Sequence, residues 1–424
     1  MTISTVHALP FCLSNPKNMT NSSLPAALPT LCPVCHYTLA ATFFDGGTQP
    51  LATLGWPQST EEAQAMPRHP LDFVQCPKCT HVWNRSFSYA AIPYEQNPNR
   101  MFNAGLIWQG HLATTRDLLL SRLPTVPTVL EIGCGEGHFL RGLAEACEAG
   151  RFTGFDPNSS AKTGRGVEFH ARYFQPLEDI PTFAPDAVVM RHVLEHLTDP
   201  AAFVEQMAWG AATLGKPVWL FAEMPCIDRV LETGRLADFF YEHPSQFTTQ
   251  SFRTLIERGG EAVEVAHGYG GEVVYGLSRL GVPESMRDGA EVAVDFSRRA
   301  TVSRATICAQ INALATGGRR VAIWGGTGKA AAFMGQYGVD AARFPLVVDS
   351  DLDKAGTYVP GMGQRIVFRD ALMDAPPDVL IIPTQWRARD ILAEMAREGI
   401  KAGQVMIEHD GRLVNYFADE HPYR

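Results

Sequence analysis

The segment Val129-Leu-Glu-Ile-Gly-Cys-Gly-Glu-Gly-His-Phe-Leu constrains this chain more than any other. Its apolar start reads as a buried parallel strand, and Gly133, Gly135 and Gly137 follow at once. Glycine adopts positive φ without steric cost and lets a ligand approach the backbone, so the three glycines mark a tight, ligand-facing turn. Phe139, Leu140, Leu143 and Ala144 then recur at helical spacing. Strand, glycine turn and helix in that order build a site at the carboxyl end of an open α/β sheet. A second strand, Arg151-Phe-Thr-Gly-Phe-Asp, ends at Asp156, about 20 residues beyond the glycines, where a carboxylate can accept both hydroxyls of a ribose.

Glycine spacing separates two classes of ligand. A dinucleotide fingerprint is G-x-G-x-x-G, in which the helix N-terminus holds a pyrophosphate. Here the pattern is G-x-G-x-G, preceded by the acid Glu131. It resembles the first motif of class I S-adenosylmethionine-dependent methyltransferases, which bind no phosphate there. That resemblance implies cofactor-binding roles for Glu131, Gly133, Cys134, Gly135, Gly137 and Asp156. The run Pro185-Asp-Ala-Val-Val-Met-Arg-His-Val-Leu-Glu-His reads as a strand and turn leading into a helix, and resembles the fourth-strand segment of the same enzymes. Arg191 and His192, at the strand's end, are expected to border the methionine part of the cofactor. Glu195 and His196 are expected to be structural.

The nine cysteines cannot all pair, and no basic segment leading into an apolar core opens the chain, so a disulfide framework is excluded. Four stand as Cys32-Pro-Val-Cys35 and Cys76-Pro-Lys-Cys79. Two residues between cysteines let a turn aim both thiolates at one ion, and two such turns complete a tetrahedral shell. These four are expected to hold a structural zinc ion, since four thiolates leave no open coordination position. Four reduced buried cysteines, or one redox-active pair, are the alternatives.

At 424 residues the chain has room for about three domains of ~150 residues. Lys and Arg number 36 against 45 Asp and Glu, a net charge of −9 that argues against nucleic acid as a partner. No apolar run reaches the ~18–20 residues of a membrane span, so no membrane partner is expected and a cytoplasmic location is. The expected architecture is α/β throughout. An N-terminal extension covers 1–28 and a four-Cys zinc domain 29–84. A class I methyltransferase Rossmann-like core follows over 85–283, then a connecting helical stretch over 284–318 and a C-terminal Rossmann-like domain over 319–424.

Chemistry is expected from Asp238-Phe-Phe-Tyr-Glu-His-Pro-Ser-Gln-Phe-Thr-Thr, the segment 238–249. Tyr241, Glu242 and His243 put three proton-transfer groups side by side before a proline, and a histidine beside a carboxylate can be tuned as a base. The tail repeats the strand–glycine–helix pattern in Arg320-Val-Ala-Ile-Trp-Gly-Gly-Thr-Gly-Lys-Ala-Ala-Ala-Phe. Gly326, Gly328 and Ala331 fit G-x-G-x-x-A, and Asp349 lies 349 − 326 = 23 residues on, so taken alone the tail matches an NAD site.

Together the knuckles, the glycine motif, the Tyr-Glu-His segment and the tail resemble the sugar C-methyltransferase family over roughly residues 30–410. Those enzymes modify nucleotide-linked 4-keto-6-deoxyhexoses, as in antibiotic sugar pathways. The resemblance implies carbon alkylation through an enolate: a base removes the proton beside the keto group, and the carbanion-like centre attacks the sulfonium methyl. On it His243 is the general base and Glu242 orients it or hydrogen-bonds the sugar, while zinc only steadies the N-terminal lobe. The family commonly reads Tyr-His-Glu-His where this chain has Phe240-Tyr241-Glu242-His243, so the tyrosine's role does not carry over. An upstream tyrosine, Tyr94, is expected to face the same pocket. Lys329 matches a lysine in the family's C-terminal glycine turn, implying that the last domain closes over the substrate and needs no NAD. The departure at Phe240 keeps an O- or N-methyltransferase of another small metabolite open. A bifunctional methyltransferase and reductase, and a non-enzymatic zinc-bearing binding protein, are further alternatives.

Overall fold

Burial of the apolar runs sorts the chain into two compact units, Met1–Pro283 and Glu284–Arg424. The computed structural model describes residues 26–93, 103–164 and 166–424. In the first unit the strands begin with β1 (Ala27–Pro29), β2 (Leu39–Gln49), β3 (His69–Gln75) and β4 (Val82–Asn84). There follow β5 (Thr128–Ile132), β6 (Arg151–Phe155), β7 (Val167–His170), β8 (Ala187–Arg191) and β9 (Val218–Pro225). β10 (Ser245–Gln246), β11 (Gly260–Gly268) and β12 (Val273–Leu280) complete the unit.

The N-terminal sheet has the order β1-β2-β3-β4-β10 and is antiparallel throughout. The first Cys-x-x-Cys turn joins β1 to β2 and the second joins β3 to β4. The long gap between the knuckles is therefore a β2–β3 pair with a helix, Thr60–Ala65, at its far end. The closing strand β10 comes from far downstream, just past His243, so residues 245–246 belong to this sheet as well.

The second sheet has the order β11-β12-β9-β8-β5-β6-β7. Strands β5 to β9 run parallel, whereas β12 is antiparallel to both β9 and β11. Every residue of β5 is buried, as expected for a central parallel strand covered on both faces. Its side chains alternate: Leu130 and Ile132 pack with Val188 and the helices Pro200–Ala212 and Thr249–Arg258. Val129 packs on the other face with Val189, Phe139 and Leu143. The chain leaves β5 toward β6 and β7, then returns to place β8 on β5's other side. This reversal opens a crevice at the carboxyl ends of β5 and β8, where open α/β sheets bind ligands.

In the second unit β13 (Val321–Trp324), β14 (Leu346–Asp349), β15 (Ile366–Phe368), β16 (Val379–Ile381), β17 (Gln404–His409) and β18 (Arg412–Asn415) assemble as β15-β14-β13-β16-β17-β18. All neighbours are parallel except the terminal β17–β18 hairpin, which makes the unit Rossmann-like. The helix Glu284–Thr316 occupies nearly the whole stretch read from sequence as a connector. Its last turns bury Ile307 and Ile311 against Val321, Ile323, Phe333 and Val379, whereas Val292 and Val294 are 68% and 69% exposed. Among the described residues no helix is long and apolar enough to cross a membrane.

A core role for that helix has a measurable consequence. Ile311→Ala should lower unfolding free energy by about 2–5 kcal/mol in urea titrations, the cost of a large-to-small core substitution. A connector residue would change it by no more than about 0.5 kcal/mol.

Candidate active site

The glycine turn after β5 is built by backbone demands at each position. Gly133, Gly135 and Gly137 have φ of 67°, 51° and 75°, a region that side chains with a Cβ enter only at a cost. A Cβ at Gly133 would lie 2.4 Å from Val193, and one at Gly137 would lie 2.4 Å from the Phe169 ring. Nothing comes within 4 Å of a Cβ at Gly135, so the turn's open side is there. Asp156 clamps this turn from the end of β6: its Oδ2 accepts from Gly135 N at 3.0 Å and its Oδ1 from Asn158 N at 2.8 Å. Gly133, Gly135 and Asp156 line a cavity of ≈ 450 Å³ whose walls also include His192, His196 and Tyr89.

Cys134 and Glu131 lie behind the turn. The Cys134 thiol is buried, and Gly154 leaves room for it, since a Cβ there would lie 2.6 Å from the sulfur. Burial pushes the thiol well above its ordinary range. Glu131 is also buried, its Oε2 has no hydrogen-bond partner, and burial pushes its carboxyl up to about 8. An orphaned carboxyl oxygen behind an open glycine cradle fits a polar ligand group arriving at the turn.

Arg191 and His192 are organised by Glu223, which neighbours Arg191 across the β8–β9 pairing. Glu223 is fully buried and accepts two hydrogen bonds from Arg191 through Oε1, at 2.7 and 3.1 Å, while its Oε2 lies 2.7 Å from His111 Nε2. Burial alone would raise this carboxyl, but Arg191 and the histidines outweigh it and hold it well below the usual carboxylate range. Arg191 is thus turned into the network, over the rings of Phe139 and Trp108, and is not among the cavity-lining residues. His192, at φ 53°, does line the cavity, with ring nitrogens 3.4 Å from Glu195 and 3.3 Å from Glu223. Burial opposes its positive charge, yet the two carboxylates win and raise it to about 9. No local motif points to Glu223 or His111 in the sequence, because their partners meet only when β8, β9 and the helix Leu106–Leu120 come together.

The Tyr-Glu-His segment splits in the structure. The Tyr241 hydroxyl accepts from Ser88 N at 2.9 Å and its ring stacks on His69 at 4.6 Å. Glu242 is 0% exposed, and its Oε1 accepts from the amides of Thr53 and Leu54 at 2.7 and 3.0 Å. Both side chains therefore fasten the N-terminal lobe, and neither is among the cavity-lining residues. His243 is half-buried between Phe240 and His196, with ring centroids 4.2 and 4.7 Å away; it too is not among the cavity-lining residues and stands behind His196. Burial, then the nearby His196, lowers it to about 3.

His196, read from sequence as structural, stands on the cavity wall. Its Nδ1 lies 2.8 Å from the Glu242 carbonyl, which can only accept, so Nδ1 carries a proton and donates it there. Tyr89 donates to the His196 carbonyl at 2.8 Å and accepts from Thr198 N at 3.1 Å. Tyr94 lies outside the described residues.

The four knuckle cysteines converge. Cys32 and Cys79 sulfurs are 3.6 Å apart, Cys35 and Cys76 sulfurs 3.5 Å, and all four lie within 4.8 Å of one another. A tetrahedral zinc with Zn–S of ~2.3 Å sets sulfurs ~3.8 Å apart, so donors and spacing both fit. The turns repeat each other: His36 N donates to Cys32 O and Thr80 N to Cys76 O, with φ 56° and 63° at His36 and Thr80.

In the second unit, Lys329 opens the helix Lys329–Tyr337 after Gly328, at φ 60°. Its ammonium bonds Gln385 and sits 4.5 Å over the Trp386 ring, where burial lowers its pKa. Gly326 is required by packing, since a Cβ there would lie 2.2 Å from Ile366. Asp349 is occupied by Gly326 N, Asp351 N and Lys354 Nζ at 3.4, 3.0 and 3.6 Å.

Residues 108–264 match a family described as "Methyltransferase domain", and residues 284–408 match the "C-methyltransferase C-terminal domain" family. The C-methyltransferase NovU of Streptomyces niveus is 25% identical over 360 residues, 78% of this chain and 83% of that protein. Among solved structures, the N-methyltransferase NodS of Bradyrhizobium japonicum WM9 is 18% identical, covering 43% of this chain and all of that one, with a TM-score of 0.31. The methyltransferase domain of bacterial CtHen1-C is 19% identical over 42% of this chain and all of its own, with a TM-score of 0.33. Sheet order, glycine turn and the two domain matches, with the curated relative, define an S-adenosylmethionine-dependent methyltransferase of class I. Over these two regions and across most of its length the chain is similar to C-methyltransferases.

Because His192 is raised to about 9, the stability it contributes is complete below its ordinary pKa near ~6.5 and is lost as pH rises through about 9. In Glu223→Gln the titration should move toward the ordinary value, so the loss begins at lower pH. Histidine NMR titration checks this; a midpoint that stays near 9 would assign the shift to Glu195 alone.

Proposed function

We propose that the chain transfers the methyl group of S-adenosylmethionine to a carbon beside the ketone of a nucleotide-linked 4-keto-deoxysugar. The observation that carries this reading is the pairing, in one chain, of a methyltransferase domain with a C-methyltransferase C-terminal domain. When bound, the cofactor supplies an electrophilic methyl group on a sulfonium. Asp156 would accept the ribose hydroxyls, Gly133 to Gly137 would admit the cofactor against the backbone, and the His192 imidazolium would pair with the carboxylate of its methionine part.

Carbon alkylation needs a neutral base next to the substrate and a way to stabilise the proton taken up. His243, lowered to about 3 by burial, is uncharged at neutral pH; the same burial weakens it as a base, so proton uptake there depends on Glu195, whose charge favours the protonated ring. Glu195, buried within 4.8 Å of both His196 and His243, faces the proton once it arrives. Burial opposes its charge, but His192 outweighs that and keeps it ionised. In this reading His243 is the base and His196 is its partner on the cavity wall. Tyr241 and Glu242 hold the segment in place. Phe240 favours one second reading: a missing tyrosine hydroxyl at the family's motif suits an O- or N-methylated acceptor of another kind.

Incubation with methyl-labelled cofactor and a panel of nucleotide-linked keto sugars tests the reading. A product with a new C–CH3 resonance is expected; an O–CH3 or N–CH3 product, or labelling only of other metabolites, overturns it. His243→Ala should stop turnover, by at least ~100-fold for loss of a general base, while cofactor affinity by calorimetry stays nearly unchanged. If His196→Ala stops turnover and His243→Ala does not, the base is His196.

The four thiolates hold a structural zinc ion in the same reading. Cys76→Ser should release the metal, measured by elemental analysis, and open the N-terminal lobe to protease, because the metal's binding energy is folding energy. Unchanged metal content would assign the sulfurs to a metal-free core.

A further inference from the structure

A second group of ligating side chains lies elsewhere in the first unit. Cys226 follows β9 directly, Asp228 begins the helix Asp228–Thr233, and His267 is the penultimate residue of β11. Their ligating atoms all lie within 4.8 Å of one another. The Thr249 hydroxyl sits among them, 2.5 Å from Asp228 Oδ2, 2.7 Å from His267 Nε2 and 3.8 Å from Cys226 Sγ. The donors therefore converge on one point about which three different elements are arranged.

A cavity of ≈ 580 Å³ adjoins this point, lined by Asp228, Thr249, Gln75, Thr80 and Arg253 among others. Among the described residues it shares no lining residue with the cofactor cavity. Cys226 is buried, Asp228 is half-buried and His267 is exposed, with 44% of its side chain accessible, so a cation has a way in. The Thr249 amide lies 3.3 Å from both Asp228 oxygens and keeps that carboxylate pointed inward.

We propose that Cys226, Asp228 and His267 form a second metal site, for a borderline divalent cation of the zinc or cobalt kind. A thiolate with an imidazole favours such ions over magnesium or calcium, which take oxygen donors. Three protein ligands leave a fourth position open, in contrast to the closed four-sulfur set. The cation takes over the hydrogen bonds now made by the Thr249 hydroxyl, and the Cys226 thiol releases its proton to solvent as it ligates. The site is independent of the methyl-transfer reading and of the occupancy of the four-cysteine cluster. Being open and partly exposed, it exchanges its ion faster than that cluster does.

Equilibrium dialysis of the full chain against zinc chloride, followed by elemental analysis, tests the site. His267→Ala, at an exposed side chain, should hold one zinc equivalent fewer than the parent protein with an unchanged circular dichroism spectrum. Equal zinc content in the two proteins overturns the proposal, whatever the four-cysteine cluster binds. Cobalt substitution adds a second reading: the parent-minus-variant difference spectrum should carry sulfur-to-cobalt charge transfer. A difference spectrum without it would mean that cobalt sits on a surface histidine only, and would also overturn the proposal.

Discussion

Glu223 is the interaction on which the catalytic face depends. A carboxylate fully removed from water costs several kcal/mol unless it is paired, and breaking such a pair costs about 3–5 kcal/mol. The residue therefore imposes its partners: Arg191 from β8, His111 from the helix Leu106–Leu120 and His192 at the cavity edge. Through them it fixes the spacing of β8 and β9, anchors a helix over the sheet and puts one positive charge on the cavity wall. His192 in turn holds Glu195 ionised, so the charge state of the Glu195–His196–His243 group traces back to the same carboxylate.

The parts of the site legible in the sequence are those whose meaning is local. The glycine turn, the acid ending β6 and the two Cys-x-x-Cys knuckles each combine a short spacing with a steric or valence requirement, and the structure assembles all of them. Arg191 was misplaced because its neighbour Glu223 lies 32 residues away and meets it only through strand pairing. Tyr241, Glu242 and His243 read as one unit because they are consecutive, yet consecutive side chains outside a helix diverge. Glu242 turns to amides of the N-terminal lobe and Tyr241 to the Ser88 amide just past it, contacts that no spacing reveals. His196 reads as structural by its place after the strand, yet it stands on a short turn, Leu194–His196, and lines the cavity. The connector over 284–318 was legible as a helix, but Ile307 and Ile311 disclose their burial only against a sheet that follows them.

The two units use one grammar with different outcomes. Each places a glycine turn after its first parallel core strand and an aspartate at the end of the next. In the first unit the turn is open at Gly135 and the aspartate holds it from outside. In the second, Ile366 fills the space over Gly326 and Lys354 stands beside Asp349. The same backbone device thus serves ligand approach in one place and close packing in the other.

The strand Ser245–Gln246, only two residues long, pairs with β4 and closes the amino-terminal sheet. During synthesis that sheet lacks its last edge until the chain past residue 246 has emerged, long after its cysteines have been made. The lobe is therefore closed only after the five parallel strands of the second sheet have been made. The strand that finishes it begins two residues after His243, so closure of the lobe and placement of that histidine are one event.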